Sequence, residues 1–529
     1  MKKTSSYLSA TALGSFTAAA ALMVGLSGAN AQAPAPAAPL SGAGSFPGSF
    51  IVPGTNTSLH VGGVIQIDTT WDFNNAGTSA GAQQNEDSNN INLTGPTVQA
   101  AGVGGVPASH NNHGSIRINP NATHPFFETR TPTPYGELKT YWEIDFAATY
   151  SSNGGGPSTT SVTSGTNCCS NTSTPRLKQA YGTLGPWLIG FTNSNYVDLD
   201  AWADAADGAV EAGSFMGPGT TKEPQIRYTY LLPNGISVAG SIEESQSAGI
   251  LSNNPGGQTG TGAAGILGSA YGAAGTNAVS TWNNYDSLAL QQRIPAFTAK
   301  ARIDQPWGHA ALAIAVMQEH LDNIPAAGAL AGAFSGGASP LIPSSTVSQW
   351  GYQLAQTGHF NTFGADKFAW QLGYGQGAAQ YNWALAGGGL GTQWEEGLVC
   401  STSTNLAGAN PAGGGFYRCS EPRVWGINVS YTHWWTTEWR STVAYGYDHI
   451  SKPDAAGTWD AVGTAAGPGT SAAGLNTLFE QNQSATANIQ WTPVPAAQFL
   501  LEFRWMRELV WSGAHGTREM ADFQTLFKF

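Results

Sequence analysis

Apolar and polar positions alternate with a period of two in many segments of the chain, and this pattern predicts amphipathic β-strands. In residues 59–73 the odd-numbered positions are mostly apolar and the even-numbered positions are mostly polar. Similar alternation returns at residues 137–146, 367–374 and 439–447. Because successive side chains of a strand point to opposite faces, each segment has one apolar and one polar face.

Short turns and long loops alternate between the predicted strands. The short links lie at residues 132–136, 184–186, 232–235, 304–308, 361–366, 434–437 and 492–496. The long segments, rich in Gly, Ser, Ala and Asn, lie at residues 74–113, 151–174, 196–223, 245–287, 321–346, 378–421 and 450–479 and near 510–519. A β-sandwich also contains alternating strands, but this regular exchange is typical of bacterial barrels with periplasmic turns and external loops. We therefore predict an all-β fold, a transmembrane antiparallel β-barrel of about 16 strands.

Composition argues against the other main protein classes. Charged residues make up only 10% of the 529 residues, whereas a soluble protein usually carries about 25%. The 18 Trp, 17 Tyr and 21 Phe argue against a disordered chain. A helical membrane protein needs runs of about 20 apolar residues, and the one run of this kind lies at the N-terminus. The net charge of −12 argues against nucleic acid as a partner, since phosphates need a basic surface.

The N-terminus has the features of a secretory signal peptide. Two N-terminal lysines are followed by the apolar stretch 12–26 and by a small-x-small cleavage pattern that ends at Ala31. We predict that residues 1–31 are the signal peptide. A membrane-anchor helix is the weaker alternative, because the run is short and contains many Ala, Gly and Ser residues.

Two regions follow the predicted signal peptide. Residues 32–57 are rich in Ala, Pro, Gly and Ser, and we predict that they form a flexible periplasmic lead-in. Residues 58–529 are predicted to form the barrel, with a loop at about residues 196–223 that folds inward. Loss of the two lysines would leave 19 Lys and Arg against 33 Asp and Glu, so the net charge would become −14.

Several segments resemble a known family. Residues 127–140 read FETRTPTPYGELKT, and residues 180–185 read AYGTLG. Together with PQIRY at residues 224–228 and RIP at residues 293–295, they resemble the DcaP-like porin family of proteobacterial outer membranes. The resemblance implies a trimeric 16-stranded porin that passes small anionic solutes such as dicarboxylates. One departure is that residues 32–57 contain too much Pro and Gly for the helical N-terminal extension found in some members.

These observations predict an outer-membrane porin of a Gram-negative bacterium, through which small anionic solutes such as organic acids diffuse passively. The expected partners are the lipid bilayer and lipopolysaccharide, two further copies in a homotrimer, and the barrel-assembly machinery. An adhesin or structural barrel that presents its long loops is the alternative. We predict no metal and no cofactor. We also predict no enzymatic activity, because the two residues within each of the pairs Glu319–His320 and Asp448–His449 point to opposite faces of a strand and cannot form a catalytic dyad.

Strand parity predicts which basic residues line the pore, where inward charges determine ion selectivity. The predicted pore-lining residues are Arg117, Arg130, Lys139, Arg176, Lys178, Arg227, Lys300 and Arg302, with Arg440 and Arg504 on the same face. Six of them are expected to form an anion-attracting strip: Arg117, Arg130, Arg176, Lys178, Arg227 and Lys300. The alternative is that they stabilise the wall by pairing with inward acids.

The segment after the predicted fifth strand is unusually acidic. Its acids are Asp198, Asp200, Asp204, Asp207 and Glu211. The resemblance implies that a loop at this place folds into the barrel and narrows it, so that acids facing a basic wall would create a transverse field. The alternative is a solvated outer loop that binds calcium.

Cysteines and the C-terminus provide two further predictions. Cys400 and Cys419 lie in one Gly-rich segment and can close a loop disulfide in an oxidising compartment. The chain ends on Phe529 after an alternating segment that predicts the last strand. We predict that this terminal Phe is the signal for barrel assembly.

Overall fold

The alternating segments form antiparallel strands of one closed sheet. The computed structural model describes residues 42–73, 115–120, 122–148, 174–206, 222–245, 249–253, 293–324, 345–382, 396–402, 417–451, 479–510 and 515–529. The strands are β1 (Phe50–Ile51), β2 (Ser58–Asp72), β3 (Ser115–Asn119), β4 (His124–Thr133), β5 (Gly136–Ala148), β6 (Thr174–Leu184), β7 (Trp187–Asn193), β8 (Lys222–Leu232), β9 (Ile236–Glu243), β10 (Gly249–Asn253), β11 (Ala296–Gln305), β12 (Gly308–Ile324), β13 (Ser345–Asn361), β14 (Lys367–Gln376), β15 (Glu396–Thr402), β16 (Tyr417–Ser420), β17 (Arg423–Trp434), β18 (Trp439–Ser451), β19 (Phe479–Val494), β20 (Ala497–Val510) and β21 (His515–Lys528). Short 3-10 turns lie at Leu199–Ala201 and Ala379–Tyr381.

In the described ranges the barrel wall has sixteen strand positions. They are β2, β3 together with β4, β5 to β9, β11 to β14, and β17 to β21. Strands β3 and β4 share one position because both pair with β2. The barrel closes where β2 pairs with β21. The predicted all-β fold of about 16 strands is confirmed. Strands β10, β15 and β16 form a separate three-stranded sheet.

The wall is apolar outside and polar inside. On β2, Val61 and Ile65 are 45% and 46% exposed on the outer face, whereas Gln66 and Asp68 are only 2% and 1% exposed on the inner face. This arrangement suits a barrel whose outer face contacts lipid and whose interior holds polar groups. Among the described residues, no helix is long and apolar enough to cross a membrane.

Aromatic side chains surround the end of the barrel that carries the short turns. Trp187, Trp307, Trp435 and Tyr135 lie in or beside these turns and are exposed, Trp435 by 62%. Such rings favour the headgroup level of a bilayer. Trp434 belongs to a different environment, because its ring centroid lies 5.0 Å from the guanidinium carbon of the buried, inward-facing Arg440.

A register shift between β5 and β6 changes which side chains face inward. Glu143 pairs with Gln179, but the next residue, Ile144, pairs with Leu177. The extra residue on β6 is Lys178, whose Nζ lies 3.3 Å from Glu143, while Gln179 donates to the same carboxylate at 3.0 Å. Two successive residues of β6 therefore contact one inward acid, which strict alternation does not predict.

Residues 42–57 form a small hairpin against the inner side of β2 and β4. Ala43 pairs with Phe50, and β1 pairs with the start of β2. The ring of Phe46 lies 6.0 Å from His60, and the Arg130 guanidinium carbon lies 4.2 Å from its centroid. Pro and Gly in this segment thus favour turns rather than a helix. The rest of the predicted lead-in and the predicted signal peptide lie outside the described residues.

The C-terminal residue closes the seam between the first and last wall strands. Gly63 and Phe529 exchange two backbone hydrogen bonds, both 3.1 Å long. A Cβ atom added at Gly63 would lie 2.6 Å from Cζ of Phe529 and 3.0 Å from the His124 carbonyl oxygen. The Phe529 ring therefore occupies the space that a side chain at Gly63 would need.

We expect Gly63→Ala to lower the fraction of chain that folds into a heat-modifiable barrel, because overpacking typically costs about 1–3 kcal/mol. The matched control is Gly182→Ala, whose new Cβ would lie 3.5 Å from the nearest atom, the Lys139 carbonyl oxygen. Gel mobility with and without heating measures the folded fraction. Equal folded fractions for the two variants would contradict this role of Gly63, and removal of Phe529 should lower the fraction further.

Candidate functional site in the barrel lumen

Residues 194–206, here called the crossing segment, leave the end of β7 and enter the barrel. Ser194 Oγ donates to Glu243 Oε2 at 2.6 Å, and the Asn195 backbone N–H donates to Glu243 Oε1 at 2.9 Å. Glu243 is fully buried at the end of β9. These bonds turn the chain inward at the start of the segment.

Small residues on the inner wall make room for the segment. Tyr196 is buried in a cluster whose other members are Ala296, Ala313, Ala315, Met317, Ala355, Ala378 and Tyr381. The rings of Tyr196 and Tyr381 meet edge to face with centroids 5.6 Å apart. Because alanine fills little of the lumen, strands β11 to β13 can accept a packed loop on their inner face.

The first anchor of the crossing segment is Asp198. Its Oδ2 contacts His309 Nε2 at 2.8 Å and accepts a hydrogen bond from Thr357 Oγ1 at 2.5 Å. Its Oδ1 accepts a bond from Arg302 Nη1 at 3.2 Å, and the same guanidinium donates to Asp200 Oδ2 at 2.6 Å. Three neighbouring wall strands, β11, β12 and β13, thus hold one carboxylate.

The second anchor lies on a different part of the wall. Asp204 Oδ2 accepts a hydrogen bond from Arg440 Nε at 2.5 Å. The Asp204 carbonyl oxygen accepts bonds from Asn488 at 2.8 Å and from Gln490 at 3.0 Å. The Ala206 N–H then donates to Glu502 Oε2 on β20 at 2.9 Å. The segment therefore passes from the wall at β11–β13 to the wall at β18–β20.

The two anchoring carboxylates are kept ionised by their partners. Burial alone would raise the pKa of Asp198, but the His309 hydrogen bond and the charges of Lys300 and Arg302 lower it. Burial likewise opposes ionisation of Asp204, and Arg440 lowers the pKa of Asp204 below its ordinary value. Asp200 differs, because burial raises its pKa despite the nearby Arg302.

The same cluster contains groups that could bind a cation. Asp198, Asp200 and His309 offer ligand atoms within 4.8 Å of one another. The Arg302 guanidinium already donates to both carboxylates, so a cationic side chain fills the place that a metal ion would take. The donor set therefore fits an internal ion-pair network better than a metal ion.

Most predicted pore-lining cations of the first strands have acidic partners. Arg130 lies 2.6 Å from Glu128 and 3.7 Å from Glu137, and Lys139 lies 3.1 Å from Glu128. On the next strands the contact distances are 2.6 Å for Arg176 with Asp145 and 3.3 Å for Lys178 with Glu143. These pairs reduce the field that each cation exerts on a passing ion.

Lys300 and Arg302 support the crossing segment rather than the open wall. Lys300 Nζ donates to the Val197 carbonyl oxygen at 2.5 Å, and Arg302 also donates to Asp304 at 2.6 Å. The acids of the segment are therefore neutralised locally by the wall behind them. Among the described residues, these paired acids therefore contribute little to the predicted transverse field.

Arg227 stands apart from the other predicted cations. It lies half-buried on the inner face of β8, and within the described ranges it has no hydrogen bond and no salt bridge, although the charge of Glu243 acts on it. Lys367 and Lys528, at the short-turn end, also lie on the inner face opposite buried Thr432 and Val64. The predicted set of pore-lining basic residues omits both lysines, although strand parity places Lys367 on the polar face of its strand and Lys528 on the lumen or rim face.

Other residues of the site were not predicted at all. His309 Nδ1 lies 2.8 Å from His359 Nδ1, and Thr357 donates a hydrogen bond to the Asp198 carboxylate that His309 contacts. Strand parity predicts that these side chains face inward, but their partner Asp198 lies more than 100 positions away from them in the chain. Only the path of the crossing segment brings these groups together.

Some predicted site residues fall outside the described part of the chain. These are Asp207, Glu211 and the side chain of Arg117. For the cysteines, the backbone register places Cys400 directly opposite Cys419 across β15 and β16. Their side chains lie outside the described ranges, so the disulfide remains a prediction.

Comparison with known proteins places this barrel among porins. The family model described as Porin subfamily matches residues 42–524. No curated protein matches the chain. Among solved structures, the outer membrane channel DcaP of Acinetobacter baumannii is 16% identical with a TM-score of 0.56, covering 89% of this chain and 97% of that one. This likeness supports the barrel fold.

Two further solved structures are more distant. The anion-selective porin from Comamonas acidovorans is 7% identical with a TM-score of 0.45, covering 89% of this chain and 100% of that one. In-vitro folded OmpT of Vibrio cholerae is 6% identical with a TM-score of 0.43, covering 89% and 98%.

Proposed function

The chain belongs to the Porin subfamily and forms an outer-membrane channel of a Gram-negative bacterium, and from that premise we propose that it passes small anionic solutes, organic acids in particular, by passive diffusion. The family match and the closed barrel support the assignment as a channel. The choice of anions rests on the charges of the lumen.

The observation that supports anions is that wall arginines neutralise acids of the crossing segment, whereas Arg227 forms no salt bridge. Asp198 and Asp204 of the crossing segment each accept bonds from an arginine of the wall. Arg227 projects from the inner face of β8 without such a partner in the described ranges. A cation that no salt bridge neutralises lowers the energy of a passing anion in a narrow lumen.

Release of two matched solutes from proteoliposomes tests this function. Succinate and putrescine have the same number of carbons but opposite charges. We expect succinate to leave faster, because Arg227 attracts it and repels the diamine. Faster release of putrescine would contradict anion preference. Release of neither solute would favour a sealed barrel that presents its loops.

Export and assembly are parts of the same proposal. We propose that residues 1–31 direct export, that Phe529 is read by the barrel-assembly machinery, and that lipopolysaccharide contacts the external loops. We also propose a homotrimer, as the family resemblance implies. Exposed Ala299 and Ala301 on the outer face of β11 would allow close contact between barrels.

A further inference from the structure

Aromatic rings follow one another across the inner wall from the N-terminal hairpin to β6. Phe126 on β4 lies 5.2 Å from His60 on β2 and 5.6 Å from Tyr141 on β5, measured between ring centroids. Tyr141 in turn lies 5.5 Å from Tyr181 on β6. Porin interiors are mainly polar, so a continuous row of inward rings requires an explanation.

The backbone around these rings leaves them room on the inner face. Phe126 lies over Gly62, where an added Cβ would come within 2.7 Å of its ring. Tyr141 and Tyr181 are direct partners across β5 and β6, and the Tyr141 hydroxyl donates to Glu143 at 3.0 Å. All three rings remain partly exposed. The row is therefore both fixed in position and accessible from the lumen.

The row ends beside Arg227, the inward cation that has no salt bridge in the described ranges. Tyr181 is opposite Gly190 on β7, and Gly190 is opposite Gln225 on β8. Arg227 follows Gln225 by two residues and so lies on the same inner face, where it interacts electrostatically with Glu243 and with Tyr181. Because Gly190 has no side chain, no group of β7 fills the inner face between Tyr181 and Gln225.

We propose that Tyr141, Tyr181 and Arg227 form a binding site for aromatic carboxylates inside the channel. The ligand ring packs against the tyrosines, and its carboxylate pairs with the guanidinium. The site rests on the proposed function, since the channel must first admit anions. Within that function it distinguishes aromatic acids from aliphatic acids of equal charge.

Current blocking in single channels tests the site with two probes of nearly equal size and charge, benzoate and cyclohexanecarboxylate. In the parent chain we expect benzoate to block longer. Tyr181→Leu should shorten the benzoate dwell time about three- to tenfold, the range of one lost aromatic pair, and leave cyclohexanecarboxylate unchanged. Tyr181→Phe keeps the ring and should retain the benzoate dwell time.

The control variant is Tyr230→Leu, which removes a tyrosine that is 57% exposed on the outer face of the same region. It should change neither dwell time. Equal blocking by the two acids in the parent chain, or an unchanged benzoate dwell time in Tyr181→Leu, would overturn the site.

Reversal potentials from the same channels separate the two proposals. A channel with anion preference but no preference for benzoate contradicts the site alone, whereas a channel without anion preference contradicts the proposed function.

Discussion

The Asp198→Ala variant is expected to conduct more current per channel than the parent chain. Asp198 joins the crossing segment to His309, Thr357 and Arg302, and it is almost completely buried. Loss of one partner from a buried ion pair typically costs about 3–5 kcal/mol, because the remaining charges are left uncompensated. That cost is large enough to release the first anchor and widen the lumen.

Single-channel recording in planar bilayers measures this effect. Asp304→Ala is the matched control, because it removes another carboxylate from the same Arg302 without touching the crossing segment. We expect the conductance of the control to stay near the parent value. If Asp198→Ala conducts like the parent, or if the control rises equally, the segment does not narrow the pore through this anchor.

A fall in pH alone should not release the crossing segment as the Asp198→Ala change does. The pKa of Asp198 is lowered by His309, Lys300 and Arg302 against the effect of burial. Because the pKa of Asp198 is lowered in the folded state, the stabilisation from this anchor is fully present above the ordinary aspartate pKa. It is lost only as the pH falls through the lower pKa of the folded chain. The anchor at Asp198 should therefore hold from neutral pH down to about pH 4.

The second large effect is expected at Arg227. Arg227→Gln should shift the reversal potential in a salt gradient toward cation preference. A unit charge about 4 Å from a passing ion contributes about 1 kcal/mol in water, a roughly fivefold effect on the permeability of one ion. Because the effect has opposite signs for an anion and a cation, the anion-to-cation permeability ratio should change by up to about 30-fold. Arg227 should have this effect because no acid of the described ranges forms a salt bridge with it, and Glu243 acts on it only through its charge.

Two controls show whether charge pairing decides the effect. Arg227→Lys keeps the charge and should keep most of the anion preference. The double change Arg176→Gln with Asp145→Asn removes an ion pair of 2.6 Å without altering the net charge, and it should shift the potential little. A shift in the double variant as large as that of Arg227→Gln would show that paired residues contribute equally, contrary to our assignment.

The wall of the barrel was largely predictable from the sequence, because strand faces follow a local period of two. The inward positions of Arg130, Lys139 and Arg227 follow from that period alone. The β5–β6 shift was not predictable, since a bulge adds one residue without changing local polarity. It places both Lys178 and Gln179 against Glu143.

The pairing inside the lumen could not be predicted, because it depends on where a loop crosses the barrel. Parity placed Lys300 and Arg302 on the inner face but did not show that Val197 and Asp198 cover them. Contacts such as Asp204 with Arg440 join positions 236 residues apart. No local pattern encodes such a distance, whereas the acidic composition of the segment did predict an inserted loop that faces a basic wall.

The most direct test is the current through the purified chain in a planar bilayer under a gradient of potassium chloride. We expect discrete, long-lived conductance steps and a reversal potential with the sign of anion preference. Absence of steps would contradict an open channel, and a reversal potential with the opposite sign would contradict the charge assignment of the lumen.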